Sequence, residues 1–256
     1  ESIHHFYKEV SGVPLIRPAW YYDVEQQGEG IADVTTHLID LLFWKCFPDQ
    51  PIDYTKDVEN ITATHWPTEV TLDQFMKSTG ATNFPDYLQK YIGNSKLKVY
   101  ANGTLHFDVK DRNVGLKVIW NWQAPEGSGD TFMSVVKGTK AILKTEQSKA
   151  QNFVKQLYVQ KPEELARHEF AGNLQKAIEK IQKSYPFVTA SPAGEDLYLI
   201  NIPVADREGH ESHFRYVAES FFGFLVNRDM PEWEKANTLA KYYITTKGVA
   251  VARERD

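Results

Sequence analysis

Leu105-His106-Phe107-Asp108-Val109 and Leu116-Lys117-Val118-Ile119-Trp120-Asn121-Trp122 carry apolar side chains at every second position. A strand exposes alternate residues on opposite faces, so this period of two reads as strands buried on one side only. The same alternation runs from Lys96 to Gln160 and is punctuated by Asn102-Gly103, Gly115, Gly127-Ser128-Gly129 and Gly138. Together these features predict an antiparallel meander. One face of such a sheet packs on helices, and the other stays polar and open to solvent or to a partner subunit.

The periodicity changes on both sides of the meander. Toward the N-terminus, Ile31, Val34, Leu38, Leu41 and Leu42 fall at steps of three and four, predicting a helix over Gly30 to Lys45 that ends before Pro48. Thr71-Leu72-Asp73-Gln74 has the form of a capping box and predicts a second helix ending at Gly80. A short helix follows over Pro85 to Tyr91. Toward the C-terminus, Pro162 with Glu163 and Glu164 predicts a helix start, and that helix runs to about Lys183. Glu195 to Ile202 reads as a strand, and Glu211 to Asn227 and Pro231 to Thr246 read as helices. No linker and no repeat divides these segments. The expectation is a single α+β domain over residues 1–256, with a large, mostly antiparallel open sheet and helices on one face.

Composition narrows the function classes. With 42% hydrophobic and 25% charged residues in 256, the chain buries a substantial core. A net charge of −5, from 34 acidic and 29 basic residues without long runs of either sign, argues against a nucleic-acid partner. Cys46 is the sole cysteine and has no signal for activation, and the longest apolar run, Leu38 to Trp44, is interrupted by Asp40. That run is far short of the about 20 residues a membrane helix needs. The start at Glu1, without Met or a charged-then-apolar leader, reads as a processed or excised piece, and either the cytoplasm or the periplasm suits it. No Gly-x-Gly-x-x-Gly, P-loop, Gly-x-Ser-x-Gly or His-Glu-x-x-His occurs.

Asp33, His37, Asp40 and Trp44 follow one another at steps of 4, 3 and 4, so a helix brings them onto one face, roughly 120° from the apolar stripe. A carboxylate one turn before an imidazole can orient the ring and leave a nitrogen free to exchange a proton with a hydroxyl. An ordinary solvated helix pair has the same spacing.

The run Gly28-Glu29-Gly30-Ile31-Ala32-Asp33-Val34-Thr35-Thr36-His37-Leu38-Ile39-Asp40 resembles the Gly-rich Asp-x-x-x-His-x-x-Asp helix of the glucose–fructose oxidoreductase, inositol dehydrogenase and rhizopine-catabolism (Gfo/Idh/MocA) superfamily. Trp233-Glu234 and Asn237-Thr238-Leu239-Ala240-Lys241-Tyr242-Tyr243 resemble a subgroup of oxidoreductase C-terminal domains. The resemblance covers nearly the whole chain and implies a first strand near Ile3 to Arg17. It also implies a missing N-terminal Rossmann domain that binds NAD or NADP and supplies a lysine, so this chain alone binds no cofactor. Asp33 and His37 match the family's catalytic positions, with His37 as general base toward a sugar or polyol-like substrate. Asp40 is then structural or a supporting ligand, and dimerisation or higher assembly uses the open sheet. Gln160-Lys161-Pro162 mimics the lysine motif but is a decoy, because it follows a meander strand.

Weaker signals add candidate substrate contacts. Trp20 and Tyr22 precede the Gly-rich turn, where aromatic rings can stack on sugars. His210 and His213 lie three apart at a helix start. His4, His5, His65, His106 and His168 show no useful spacing to acidic partners. The main reading is the substrate-binding domain of an NAD(P)-dependent oxidoreductase, with no metal. The alternatives are an NAD-dependent glycosidase of the same family, a non-enzymatic carbohydrate-binding or dimerisation module, and a metal-dependent hydrolase built from Asp33, His37, His210 and His213.

Overall fold

A computed structural model describes residues 1–10, 12–208 and 210–255, and the side chains among them except those at 10, 210 and 211. In chain order the elements are β1 (Ser2–Tyr7), β2 (Glu9–Val10), β3 (Val13–Pro14), α1 (Thr35–Cys46), β4 (Val58–Thr71), α2 (Leu72–Thr79), β5 (Ile92–Gly93), β6 (Lys96–Val109) and β7 (Arg112–Gln123). They continue with β8 (Thr131–Lys137), β9 (Ile142–Gln147), β10 (Gln156–Gln160), α3 (Arg167–Gln182), β11 (Thr189–Gly194), β12 (Leu197–Asn201), α4 (His210–Asn227) and α5 (Glu232–Arg253). Short 3-10 turns lie at Ala19–Tyr22 and Asp86–Tyr91. The fold is α+β with mostly antiparallel strands, divided into two compact units: Glu1–Asp130 with Met230–Asp256, and Thr131–Asp229. No helix among the described residues is long and apolar enough to cross a membrane.

In the first unit the strand order is β1-β7-β6-β4, with β5 beside β6. β1 runs parallel to β7, and the other pairings are antiparallel. Leu97, Val99, Ala101, Leu105, Phe107 and Val109 of β6 all point to one buried face. α1 and α5 cover one part of that face through Ile39, Phe43, Ala240 and Ile244. α2 and the short helices cover the rest through Tyr22, Phe75 and Leu88. The meander's Phe107 and Trp120 lie on this covered side, which leaves residues such as Thr64, His106, Lys117 and Asn121 exposed on the opposite face. The polar-out alternation therefore holds for β6 and β7, whose Phe107 and Trp120 are covered, while Trp66 of β4 stays partly exposed.

Several local outcomes refine the sequence reading. The Thr71 capping box forms, with Gln74 N–H on Thr71 Oγ1 and Thr71 N–H on Gln74 Oε1, and Gly80 closes α2 at φ 73°. Helix α1 starts at Thr35 rather than Gly30, because residues 29–33 are held in turns against β6. Ile39 and Phe43, rather than Leu41 and Leu42, form the centre of its buried side.

Asn102-Gly103 and Gly115 are not turns but lie inside β6 and β7. Asn102 is buried, accepts from Trp120 N–H, and donates to Trp66 O and Thr68 Oγ1, so it ties three strands together. The real hairpin turn is Lys110-Asp111, between the paired Val109 and Arg112. Strand β4 escaped the sequence reading because register shifts between Glu59 and Thr62 and between Trp66 and Thr68 interrupt its alternation, and because it contains Pro67. Asn237, in the quoted C-terminal motif, accepts from Ile52 N–H and donates to Gln50 O, anchoring α5 to the loop after α1.

In the second unit the order is β11-β12-β10-β9-β8, all antiparallel, with α3 packed through Phe170 and Ile178 against Val159, Val188 and Ile200. Pro192 sits in β11, the terminal strand of this order, where a missing N–H is tolerated. The predicted helix start at Pro162 moves to Arg167.

Candidate active site

The site is built on the loop between the Ala19–Tyr22 turn and α1. The buried Asp23 carboxylate accepts from Glu25 N–H and from Gln26 Nε2, closing a tight turn. Gly28 continues it at φ 97°, in the left-handed region that side-chain-bearing residues rarely adopt. Gly30 then donates its N–H to Tyr100 O on β6, at 3.2 Å. The amides of Ala32 and Asp33 both donate to Glu29 O at 2.8 and 2.9 Å. Thr35 Oγ1 bonds Gly30 O and Thr36 Oγ1 bonds Asp33 O, so the backbone on both sides of Asp33 is tied down before the helix begins.

Asp33 lines a small recess, partly open to solvent and with room for about one water molecule, shared with Phe6, Tyr21, Gln27, Ala101 and Trp120. Burial raises the Asp33 pKa above the ordinary carboxylate range, while a hydrogen bond from Gln27 and the nearby His37, His4 and Arg17 act in the opposite direction. The wall beside it is aromatic. Trp120 packs on Phe6 at 5.1 Å and stacks on His4 at 4.9 Å, and Tyr21 meets Trp120 edge-on at 5.9 Å. The Arg17 guanidinium lies 4.3 Å from the Tyr21 ring and 5.3 Å from the Trp120 ring while donating to the Phe6 and His5 carbonyls.

His37 is exposed in the first turn of α1 and influences Asp33 through charge, with no hydrogen bond between the two side chains among the described residues. Asp33 precedes the helix rather than occupying it, so the regular one-turn geometry assumed from the spacing is replaced by a looser pairing. Asp40 accepts from Lys241 Nζ at 2.8 Å and joins α1 to α5. Trp20 is 44% exposed. Tyr22 is only 1% exposed: its ring stacks on Phe6 and its hydroxyl meets Ser78, so it is a core residue and offers no free face. Its neighbour Tyr21 lines the recess instead. His213 is exposed on α4 in the second unit, and the His210 side chain lies outside the described residues.

A profile built from the family described as "Putative oxidoreductase C terminal domain" matches residues 1–253. The chain belongs to that family. This oxidoreductase C-terminal domain is also similar to the crystal structure of a putative oxidoreductase from Parabacteroides merdae ATCC 43184, with 43% identity and a TM-score of 0.96. The likeness covers 100% of the domain and 58% of that chain, so the domain spans well under two thirds of that protein. No curated protein matches it.

Other features of the oxidoreductase C-terminal domain emerge only in three dimensions. Glu29 Oε2 meets His65 Nδ1 at 2.6 Å and Glu29 Oε1 meets Arg253 Nε at 2.7 Å, joining residues 36 and 224 positions apart. Asp130 is held by Lys8 Nζ at 2.6 Å, His5 Nδ1 at 3.0 Å and His4 Nδ1 at 3.5 Å. Burial alone would raise the Asp130 pKa, but the bonds to His4, Lys8 and His5 outweigh it and hold the carboxyl well below its usual range. Lys161 donates to the carbonyls of Pro162, Glu163 and Leu165, which makes it a structural lysine in the turn before α3. Among the described residues, no group of three or more His, Cys, Asp and Glu is placed to hold a metal ion.

Of the residues that build the recess, Gln27 lies six positions before Asp33, close enough to have been suspected. Phe6 and Trp120 carried no local signal for the site.

Proposed function

We propose that this domain supplies the substrate side of an NAD(P)-dependent oxidoreductase acting on a sugar or polyol-like compound. The observation that carries this reading is Asp33, a partly buried carboxyl on a pinned loop, facing an aromatic-walled recess within electrostatic reach of His37. Hydroxyl-rich substrates need this combination of hydrogen-bonding groups and flat apolar surface.

The chain's own glycine loop does not fit a dinucleotide. A pyrophosphate cradle needs free backbone amides at a strand-to-helix turn, whereas Gly30 N–H is bonded to Tyr100 O and the space at its Cα is filled by Ala101 O. In this reading a nicotinamide would be held by the remaining part of a longer protein and would supply the hydride-accepting chemistry. The residues of this chain do the rest. His37 takes the hydroxyl proton, and Asp33 orients the imidazole or binds a neighbouring hydroxyl. Trp20 and Tyr21 lend ring faces to the substrate. The open, polar side of the sheet is assigned to homodimerisation in the same reading.

The test is a screen of the full-length protein against aldoses, polyols and glycosides with NAD and NADP, followed by nicotinamide absorbance. Turnover of a hydroxylated substrate that disappears in His37→Ala supports the assignment. Full turnover in His37→Ala and in Asp33→Asn overturns it.

A further inference from the structure

We infer that Glu29, His65 and Arg253 form a buried anchor that positions Asp33, holding the Gly28–Asp33 loop to strand β4 and to the last turn of α5. Glu29 has two functions in two directions. Its side chain is 4% exposed and is gripped by His65 at 2.6 Å and Arg253 at 2.7 Å. Its carbonyl accepts the amides of Ala32 and Asp33. The peptide group that orients Asp33 therefore belongs to the same residue whose carboxylate is clamped by groups from two distant elements.

The clamp is itself supported. The His65 side chain is 3% exposed and its ring lies 4.7 Å from that of Tyr100. Tyr100 also provides the carbonyl for Gly30 N–H. His65 and Gly30 thus converge on one residue of β6 while Arg253 closes the arrangement from the C-terminal end of α5. Arg253 remains 55% exposed, so its bond supports the clamp from the surface, whereas the Glu29–His65 pair is sealed. A carboxylate this buried is stable only with such partners, and losing one leaves the other uncompensated. None of the three lines the recess around Asp33, so they act as positioning residues rather than as substrate contacts.

The inference rests on the proposed role of Asp33, but its test reads Asp33 directly and needs no substrate. In Glu29→Ala and His65→Ala, amide exchange at Ala32 and Asp33 should accelerate by about tenfold or more relative to other buried amides. The Asp33 carboxyl, followed by carbon NMR across pH, should titrate closer to an ordinary carboxylate as the loop opens to water. His65→Gln, which can still donate to Glu29, should restore most of both signals. Arg253→Ala, at a half-exposed helix end, keeps the test readable if the buried substitutions do not fold, and it should shift both signals in the same direction by a smaller amount. Unchanged exchange and titration in a folded Arg253→Ala or Glu29→Ala variant overturn the inference, as does a uniform loss of protection with no excess at residues 32 and 33. With a confirmed substrate, the full-length variants should lose roughly 10- to 100-fold in kcat at nearly constant KM.

Discussion

Gly30 sits directly against the carbonyl of Ala101: a Cβ at position 30 would lie 2.0 Å from that oxygen. The contact seats the loop on β6 and leaves Asp33 facing the recess. Gly30→Ala should therefore push the loop off the strand and break the Gly30–Tyr100 hydrogen bond. Overpacking of this kind costs about 1–3 kcal/mol. Thermal or urea unfolding of the variant should show a loss in that range, and wild-type stability would mean that the strand yields to the methyl group.

His37→Ala in the full-length protein should reduce turnover of a confirmed substrate by roughly 10² to 10⁴, the usual contribution of a general base. Stability should scarcely change, because His37 is exposed. Steady-state kinetics checks this, and activity within about threefold of wild type would remove His37 from the reaction.

Asp33 and Asp130 should respond to pH in opposite ways. Burial raises the folded Asp33 pKa, so the native state holds this proton more tightly than the unfolded chain does. Its contribution is present below the unfolded pKa and is lost as pH rises through the folded value. Asp130 is held below its unfolded value, so its contribution is present at neutral pH and is lost as pH falls below the ordinary carboxylate value of about 3.9. Asp33→Asn should stabilise the protein at neutral pH, while Asp130→Asn should destabilise it there and flatten its acid unfolding. Denaturation midpoints measured across acidic and neutral pH check both signs.

Lys161→Met should weaken the second unit. The ammonium serves three carbonyls in the turn before α3, two part-buried and one exposed, so its loss should cost about 1 kcal/mol. Hydrogen exchange in α3 and β10 should accelerate, while the Gly28–Asp33 loop stays protected. The same variant in the full-length protein should keep its kcat, in contrast to what a catalytic lysine would show.

Local patterns in the chain determined a good deal. The alternation around Leu105 and Trp120 specified half-buried strands, and the Thr71 capping box specified the start of α2, because each depends on neighbours within a few residues. The run from Gly28 to His37 marked the loop on which the candidate site lies. Tertiary structure decided the rest. In Trp20-Tyr21-Tyr22, successive residues of a 3-10 turn point in different directions, and only packing against Phe6 and Phe75 assigned Tyr22 to the core and Tyr21 to the recess. Asn102-Gly103 has the composition of a turn, yet its hydrogen bonds to Trp66, Thr68 and Trp120 hold it inside a strand. Glu29, His65 and Arg253 have no common period, and they meet because β4 and the end of α5 are folded beside the loop. Periodicity reports which way a side chain faces within its own element, but a buried charge is placed by partners from other elements, and those partners leave no trace in the local sequence.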